Sequence, residues 1–239
     1  MNSPEEIKHE QILNENATTT PNTPPTLTRQ SILSSLIKPH DFNSEKTSIT
    51  REQIANWQTL EIEIEAEFNP IINKIKEITG TNIEPRPDGF HLTIIGPTES
   101  KILSTLDDNL LEELQQINKA VQNGDGIDVK GIGFIDGASS TYQMREVDKT
   151  KKTAFIALEI PSLQAFRAKI GLPPKDFHVT LGFEGGDVHM HVVGQEIIKP
   201  GSPKMKDITN PIPKKADPRF SEITLPEISY HGLDGQQKK

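Results

Sequence analysis

Two short strings in this chain could do acid–base chemistry: Phe90-His91-Leu92-Thr93-Ile94-Ile95-Gly96 and Phe177-His178-Val179-Thr180-Leu181-Gly182. Each is His-x-Thr inside an apolar run that ends at glycine. In a β-strand, side chains at i and i+2 share a face. His91 and Thr93 therefore point one way and Leu92 and Ile94 the other; His178 and Thr180 separate from Val179 and Leu181 in the same manner. Imidazole titrates near neutrality, so one histidine can take a proton from an attacking hydroxyl or water while the other gives one to a leaving oxygen. The two threonine hydroxyls can donate to non-bridging phosphoryl oxygens as charge grows there. No metal is required, and the sequence leaves open which histidine is base and which is acid.

The bare tripeptide is a weak signal in a chain with 7 histidines. The shared context strengthens it, since both copies carry Phe before the His, an apolar residue at x and an apolar residue after the Thr. The competing reading, two core strands whose His and Thr satisfy each other, is weaker because polar groups on one strand face need partners or water.

At these residues the chain resembles the 2H phosphoesterase superfamily, named for two H-x-[TS]-x motifs, over about residues 51–239. The motif separation is ordinary for that family. The second copy, followed by Asp187-Val188-His189, looks most like the branch found in RNA-repair settings. The resemblance implies an α+β, bilobal fold: two α/β lobes with antiparallel sheets, related by a pseudo-twofold axis, each lending one motif to a central cleft. It carries the catalytic roles to His91, Thr93, His178 and Thr180. The implied activity is metal-independent cleavage of a phosphodiester in an RNA end or small nucleotide, first of all a 2′,3′-cyclic phosphate. Linkages of 2′,5′ type and nucleotide-sugar cyclic phosphates follow. The alternative is a non-catalytic nucleotide or RNA-end binding module.

Other residues could touch substrate. Tyr142, in a loop with Arg145, Lys149, Lys151 and Lys152, is a candidate for stacking on a base, against the reading of a solvated basic loop. Phe90 and Phe177 alternate away from their histidines and read as core. Alternation would place Asp187, His189 and His191 on one strand face, where a divalent metal could sit, but a fuller ligand set is not visible. We therefore expect no metal or cofactor, and His189 to serve substrate or support.

Composition bounds the rest. Hydrophobic residues make up 33% and aromatic residues 5%, low for a fully folded chain of 239 residues, so part of it is expected to be unfolded. There is no cysteine, which excludes disulfides, thiolate metal sites and a Cys nucleophile. A net charge of −8 argues against broad binding to a polyanion, but not against one nucleotide or RNA end in a local site. No run reaches membrane-spanning length, and the polar N-terminus lacks a signal peptide's apolar stretch. The expectation is a soluble, cytoplasmic monomer without membrane contact.

Residues 1–48, rich in Asn, Thr, Ser, Pro and Glu, read as a disordered arm that could engage a protein partner, with a short amphipathic helix at 30–38. Residues 49–239 read as the domain, its motifs near 90–95 and 177–183. Ser48 or Thr50 could cap a helix from Arg51. Residues 57–68 alternate Leu60, Ile62, Ile64 and Ala66 with glutamates; alternation argues strand, but Glu content tips the reading to helix. Helices are expected at 70–78, closed by Gly80, at 107–122, and at 162–170, capped by Ser162. Strands are expected at 127–135, where Gly131 and Gly133 mark a bend or close approach, at 153–160, and at 221–230. The Pro- and Lys-rich stretch 199–219 reads as a solvated linker, with a basic flap over substrate phosphates as the alternative.

Overall fold

A computed structural model describes residues 50–195 and 207–235. The expected N-terminal arm, its short helix and the first part of the 199–219 stretch lie outside the described residues.

The described residues open with α1 (Arg51–Ala55), started by a capping box in which Thr50 and Gln53 satisfy each other's backbone N–H. β1 follows (Leu60–Glu65), where the helix reading of 57–68 fails. Leu60, Ile62 and Ile64 are buried in the core, while Glu61, Glu63 and Glu65 face away. β1 lies between two other strands, and burial of one whole face outweighs the mild helix preference of glutamate.

Next come α2 (Asn69–Thr79), ended by Gly80 in the left-handed region, the short β2 (Glu84–Pro85) and β3 (Phe90–Ile95), the first motif strand. A 3₁₀ segment (Pro97–Thr105) leads to α3 (Asp108–Gln122), capped by Asp107. β4 (Asp128–Asp136) and β5 (Lys152–Glu159) precede α4 (Pro161–Lys169). Ser162 does not cap α4: Pro161 occupies its first turn and no side chain bonds the N-terminus. β6 (Phe177–Glu184) is the second motif strand, and β7 (Met190–Gln195) pairs with β8 (Asp207–Pro211) in a separate two-stranded ribbon. β9 (Ser229–Asp234) closes the described chain. The last strand thus begins later than expected: a 3₁₀ turn at Pro218–Phe220 is followed by irregular backbone up to residue 228.

The fold is α+β, as expected. Its main sheet is antiparallel in the order β4-β5-β6-β3-β1-β9, with β2 also on β6. Three strands on either side meet in one continuous sheet at the two motif strands, where Leu92 pairs with Val179. One face carries the main core, including Ile71, Ile75, Leu111, Leu114, Leu163 and Phe166 from the helices and Leu92, Ile94, Val179 and Leu181 from the motif strands. The other face carries His91, Thr93, His178 and Thr180, over a smaller cluster that includes Phe155, Met144, Val188 and Ile212.

Arg167 locks the seam. Its buried guanidinium donates to Ile94 O at 2.6 Å, at the end of β3, and to Pro173 O at 2.9 Å, on the approach to β6. Glu99 accepts from it at 2.6 and 3.0 Å. Planar, multiply donating guanidinium suits this bridging of two chain segments. Gly133 meets the expectation of close approach, since a Cβ there would lie 2.3 Å from the Phe155 ring.

Candidate active site

The Leu92–Val179 pair sets the site. Continuing its antiparallel register puts His91 across from Thr180 and Thr93 across from His178, all on the face opposite the main core. The structure thus brings together the four motif residues. Each histidine meets the other strand's threonine, so the two motifs interleave in one cleft.

His178 is fixed by the residue just upstream of its strand. Its Nδ1 lies 2.9 Å from Asp176 O, and a carbonyl can only accept, so Nδ1 carries the proton and the lone pair of the neutral ring is on Nε2. The edge of Phe155 packs on the ring, centroids 5.9 Å apart. Burial, then the nearby Lys214 cation, pushes the imidazole down to about 3. His91 is also pulled down, to about 4, first by burial and then by Arg86. Its side chain is 13% exposed, and Nε2 lies 3.6 Å from Glu61 Oε1.

Each motif threonine is associated with a carboxylate. Thr93 hydrogen-bonds Glu61, its neighbour across β1. Burial pushes the Glu61 carboxyl up, against hydrogen bonds from Thr59 and Thr93 and the charge of Arg86. Thr180 donates to Asp187 Oδ2 at 3.3 Å, long for an O–H···O bond, so the hydroxyl can turn toward an arriving oxygen. Thr153 donates to Asp187 Oδ1 at 2.9 Å and accepts from Val188 N at 2.8 Å. Burial alone would raise the Asp187 carboxyl, but Lys214, His189 and Thr153 hold it below its ordinary value.

Lys214 overturns the solvated-linker reading of its stretch. Its side chain is 4% exposed. Nζ donates to Val188 O at 2.8 Å, lies 3.8 Å from Asp187 Oδ1 and sits 5.0 Å from the Phe155 ring centroid. Its own N–H donates to Asp176 Oδ2 at 3.1 Å. A buried ammonium is tolerated when paired and hydrogen-bonded in this way. Nothing in the sequence pattern of this Pro- and Lys-rich stretch separates Lys214 from its exposed neighbours.

The trio Asp187, His189 and His191 does not share a strand face, because residues 185–189 form a loop and only His191 enters β7. His189 Nε2 lies 3.4 Å from Asp187 Oδ2, whereas the His191 ring stacks on Tyr142 at 4.7 Å. No group of three or more His, Asp or Glu among the described residues is placed to hold a metal. Arg145 and Lys151 clamp the buried Asp148 at 2.6 and 2.8 Å, Lys149 pairs with Glu146, and Lys152 pairs with Glu184. The basic loop is thus internally neutralised. Tyr142 remains exposed beside a cavity of about 460 Å³ that Phe155 and Lys215 also line. Phe177 is core and Phe90 packs edge-on against Phe68, as their alternation implies.

The family model described as the Swiss Army Knife 2H phosphoesterase domain matches residues 62–189, more than half of the chain. The chain belongs to the 2H phosphoesterase family, and membership implies phosphoesterase activity. Comparison with curated proteins and with solved structures gives no significant match. No helix among the described residues is long and apolar enough to cross a membrane.

Proposed function

We propose that this protein is a metal-independent phosphodiesterase of the RNA-repair-associated kind, acting on an RNA end or small nucleotide by opening a 2′,3′-cyclic phosphate. The observation that carries the reading is the placement of two His-Thr pairs across one strand seam, with His178 held as the Nδ1–H tautomer. His178 is the base: its ring is kept neutral and Nε2 is free to take a proton. His91 is the acid: the Glu61 carboxyl at 3.6 Å and a bound phosphate anion both favour its protonated form. Water attacks phosphorus and its proton passes to His178 Nε2. The bond from phosphorus to one ribose oxygen breaks, and His91 returns a proton to that oxygen. Thr93 and Thr180 donate to the non-bridging oxygens. His189, 66% exposed and tethered to Asp187, meets the substrate at the cleft's rim. Tyr142 offers its ring to a base, and Arg145 holds the Tyr142 loop through Asp148.

The test is turnover of 2′,3′-cyclic nucleotides and 2′,5′-linked dinucleotides in EDTA, with His91→Ala and His178→Ala alongside. Turnover of the cyclic compounds that survives chelation and is lost in both variants supports the reading. Turnover abolished by EDTA, or cleavage of the 2′,5′ linkage alone, overturns it. A folded protein that binds nucleotide without turnover would be the non-catalytic module instead.

A further inference from the structure

Five arginines fall among the described residues, and four are engaged by carboxylates. Arg51 pairs with Asp108, Arg145 with Asp148, Arg167 with Glu99 and Arg219 with Asp217. Arg86 differs: its Nε is buried with no hydrogen-bond partner among the described residues. A buried donor left unmatched costs on the order of 1–3 kcal/mol, so its position calls for an acceptor that the described residues do not supply.

Its place in the fold says where that acceptor would be. β2 pairs with the end of β6, Pro85 opposite Gly182, and Arg86 N–H continues the ladder by donating to Leu181 O at 3.1 Å. Gly182 permits this contact, because a Cβ there would lie 2.1 Å from Glu84 O. The chain then leaves the sheet at Pro87–Gly89 and re-enters as β3, so that Leu92 meets Val179. Arg86 is therefore anchored next to Thr180 on one side and a turn away from His91 on the other. Its charge is felt by His91, Glu61 and His189, which surround the cleft.

We propose that Arg86 is a substrate-binding residue whose buried Nε–H and neighbouring guanidinium N–H grip a non-bridging oxygen of the scissile phosphate. The proposal rests on the phosphodiesterase reading of the cleft. A guanidinium presents parallel donors that match two oxygens of one phosphoryl group. Arg86 also sets a positive charge within electrostatic reach of the Glu61 carboxyl, where the incoming anion would otherwise meet a carboxylate. Lys214 is less suited to this, since it is almost wholly buried, bonded to Val188 O and paired with Asp187.

The test is titration of the native protein, Arg86→Gln and Arg86→Lys with inorganic phosphate, followed by the ring resonances of His91 and His178, beside turnover on the cyclic nucleotide panel. The expected result is phosphate binding in the cleft of the native protein, weakened about 10- to 100-fold in Arg86→Gln and only partly restored in Arg86→Lys. The His91 titration should move upward in Arg86→Gln, a shift that loss of packing alone would not give while the His178 resonance stays native. Undiminished phosphate affinity in a folded Arg86→Gln overturns the proposal and leaves the phosphodiesterase reading standing. Phosphate binding that depends on Arg86 without turnover of any phosphodiester would overturn the enzymatic reading and keep the anion site. Failure of the native protein to bind phosphate in the cleft overturns the proposal, and overturns the phosphodiesterase reading too when no member of the panel is turned over.

Discussion

The surroundings of β3 and β6 differ more than their sequences do. Around β3, His91 faces the Glu61 carboxyl directly, and the nearest cation, Arg86, leaves a buried donor unused. Around β6, Asp187 takes two threonine hydroxyls, as Glu61 does from Thr59 and Thr93, but it also lies beside a buried lysine, and His178 bonds a backbone carbonyl and not a carboxylate. A repeated tripeptide therefore sits beside two threonine-bonded carboxylates, one paired with a buried ammonium and the other facing a histidine and an arginine with a spare donor. The difference teaches that motif symmetry does not make the two histidines equivalent. In the proposed mechanism, the β6 side would supply the base and the β3 side the acid, whose proton would arrive with substrate.

The largest expected effect tests that asymmetry. Loss of either imidazole should cost roughly 10²- to 10⁴-fold in turnover of a cyclic nucleotide. An activated p-nitrophenyl phosphodiester, whose leaving group needs no proton, should recover at least about tenfold of the His91→Ala loss and little of the His178→Ala loss. Equal recovery in both variants would remove the assignment of base and acid.

The second test breaks the β6 side. Lys214→Met removes the cation from beside a buried carboxylate and leaves Val188 O without this donor. Breaking a buried ion pair costs about 3–5 kcal/mol, which urea unfolding would register. The His178 titration should also rise, because the lysine charge is one of the causes that depress it. An unchanged midpoint would mean that Lys214 is not part of the β6 support. Asp187→Asn breaks the same pair from the other side, leaving the buried Lys214 without its counter-charge and weakening the hydrogen bonds from Thr153 and Thr180, at a comparable cost of about 3–5 kcal/mol. Turnover should fall with it only if Asp187 orients Thr180, so stability and rate read the two consequences separately.

How much of this was legible depends on the kind of signal each residue leaves. The motif strands and their facing were readable because period-2 alternation, bounded by glycine, matched the observed 90–95 span and placed the second strand within a residue. The same alternation was present in β1 and lost to glutamate propensity. Reading it as a strand would also have put Glu61 on its polar face beside the cleft. Helix ends followed local chemistry where a cap exists, at Thr50, Gly80 and Asp107, and shifted where Pro161 replaced the expected Ser162 cap. Lys214 and Arg86 sit in irregular segments where no period operates, so only tertiary placement reveals them; Asp187 stands out beside the second motif, but its bonds to Thr153 and Thr180 are not legible there.

The last test concerns acid stability and separates the two sides once more. Both imidazoles titrate lower in the fold, near 4 and 3, than the ordinary value of 6.5 that the unfolded chain keeps. Between those values the unfolded state binds more protons than the folded one, so stability rises with pH. Above about pH 6.5 the two states are alike and nothing is lost. As pH falls below 6.5 each buried neutral ring costs up to about 1.4 kcal/mol per pH unit, levelling off below its folded value. His178→Asn should therefore flatten the acid limb of the stability profile between pH 6.5 and about 3. His91→Gln should flatten it between pH 6.5 and about 4, but by less when phosphate is present, because a bound anion restores the proton to His91 in the native fold. A phosphate-independent limb in the native protein would show that His91 is as insulated as His178, and the contrast between the two strands would be one of contacts and not of charge.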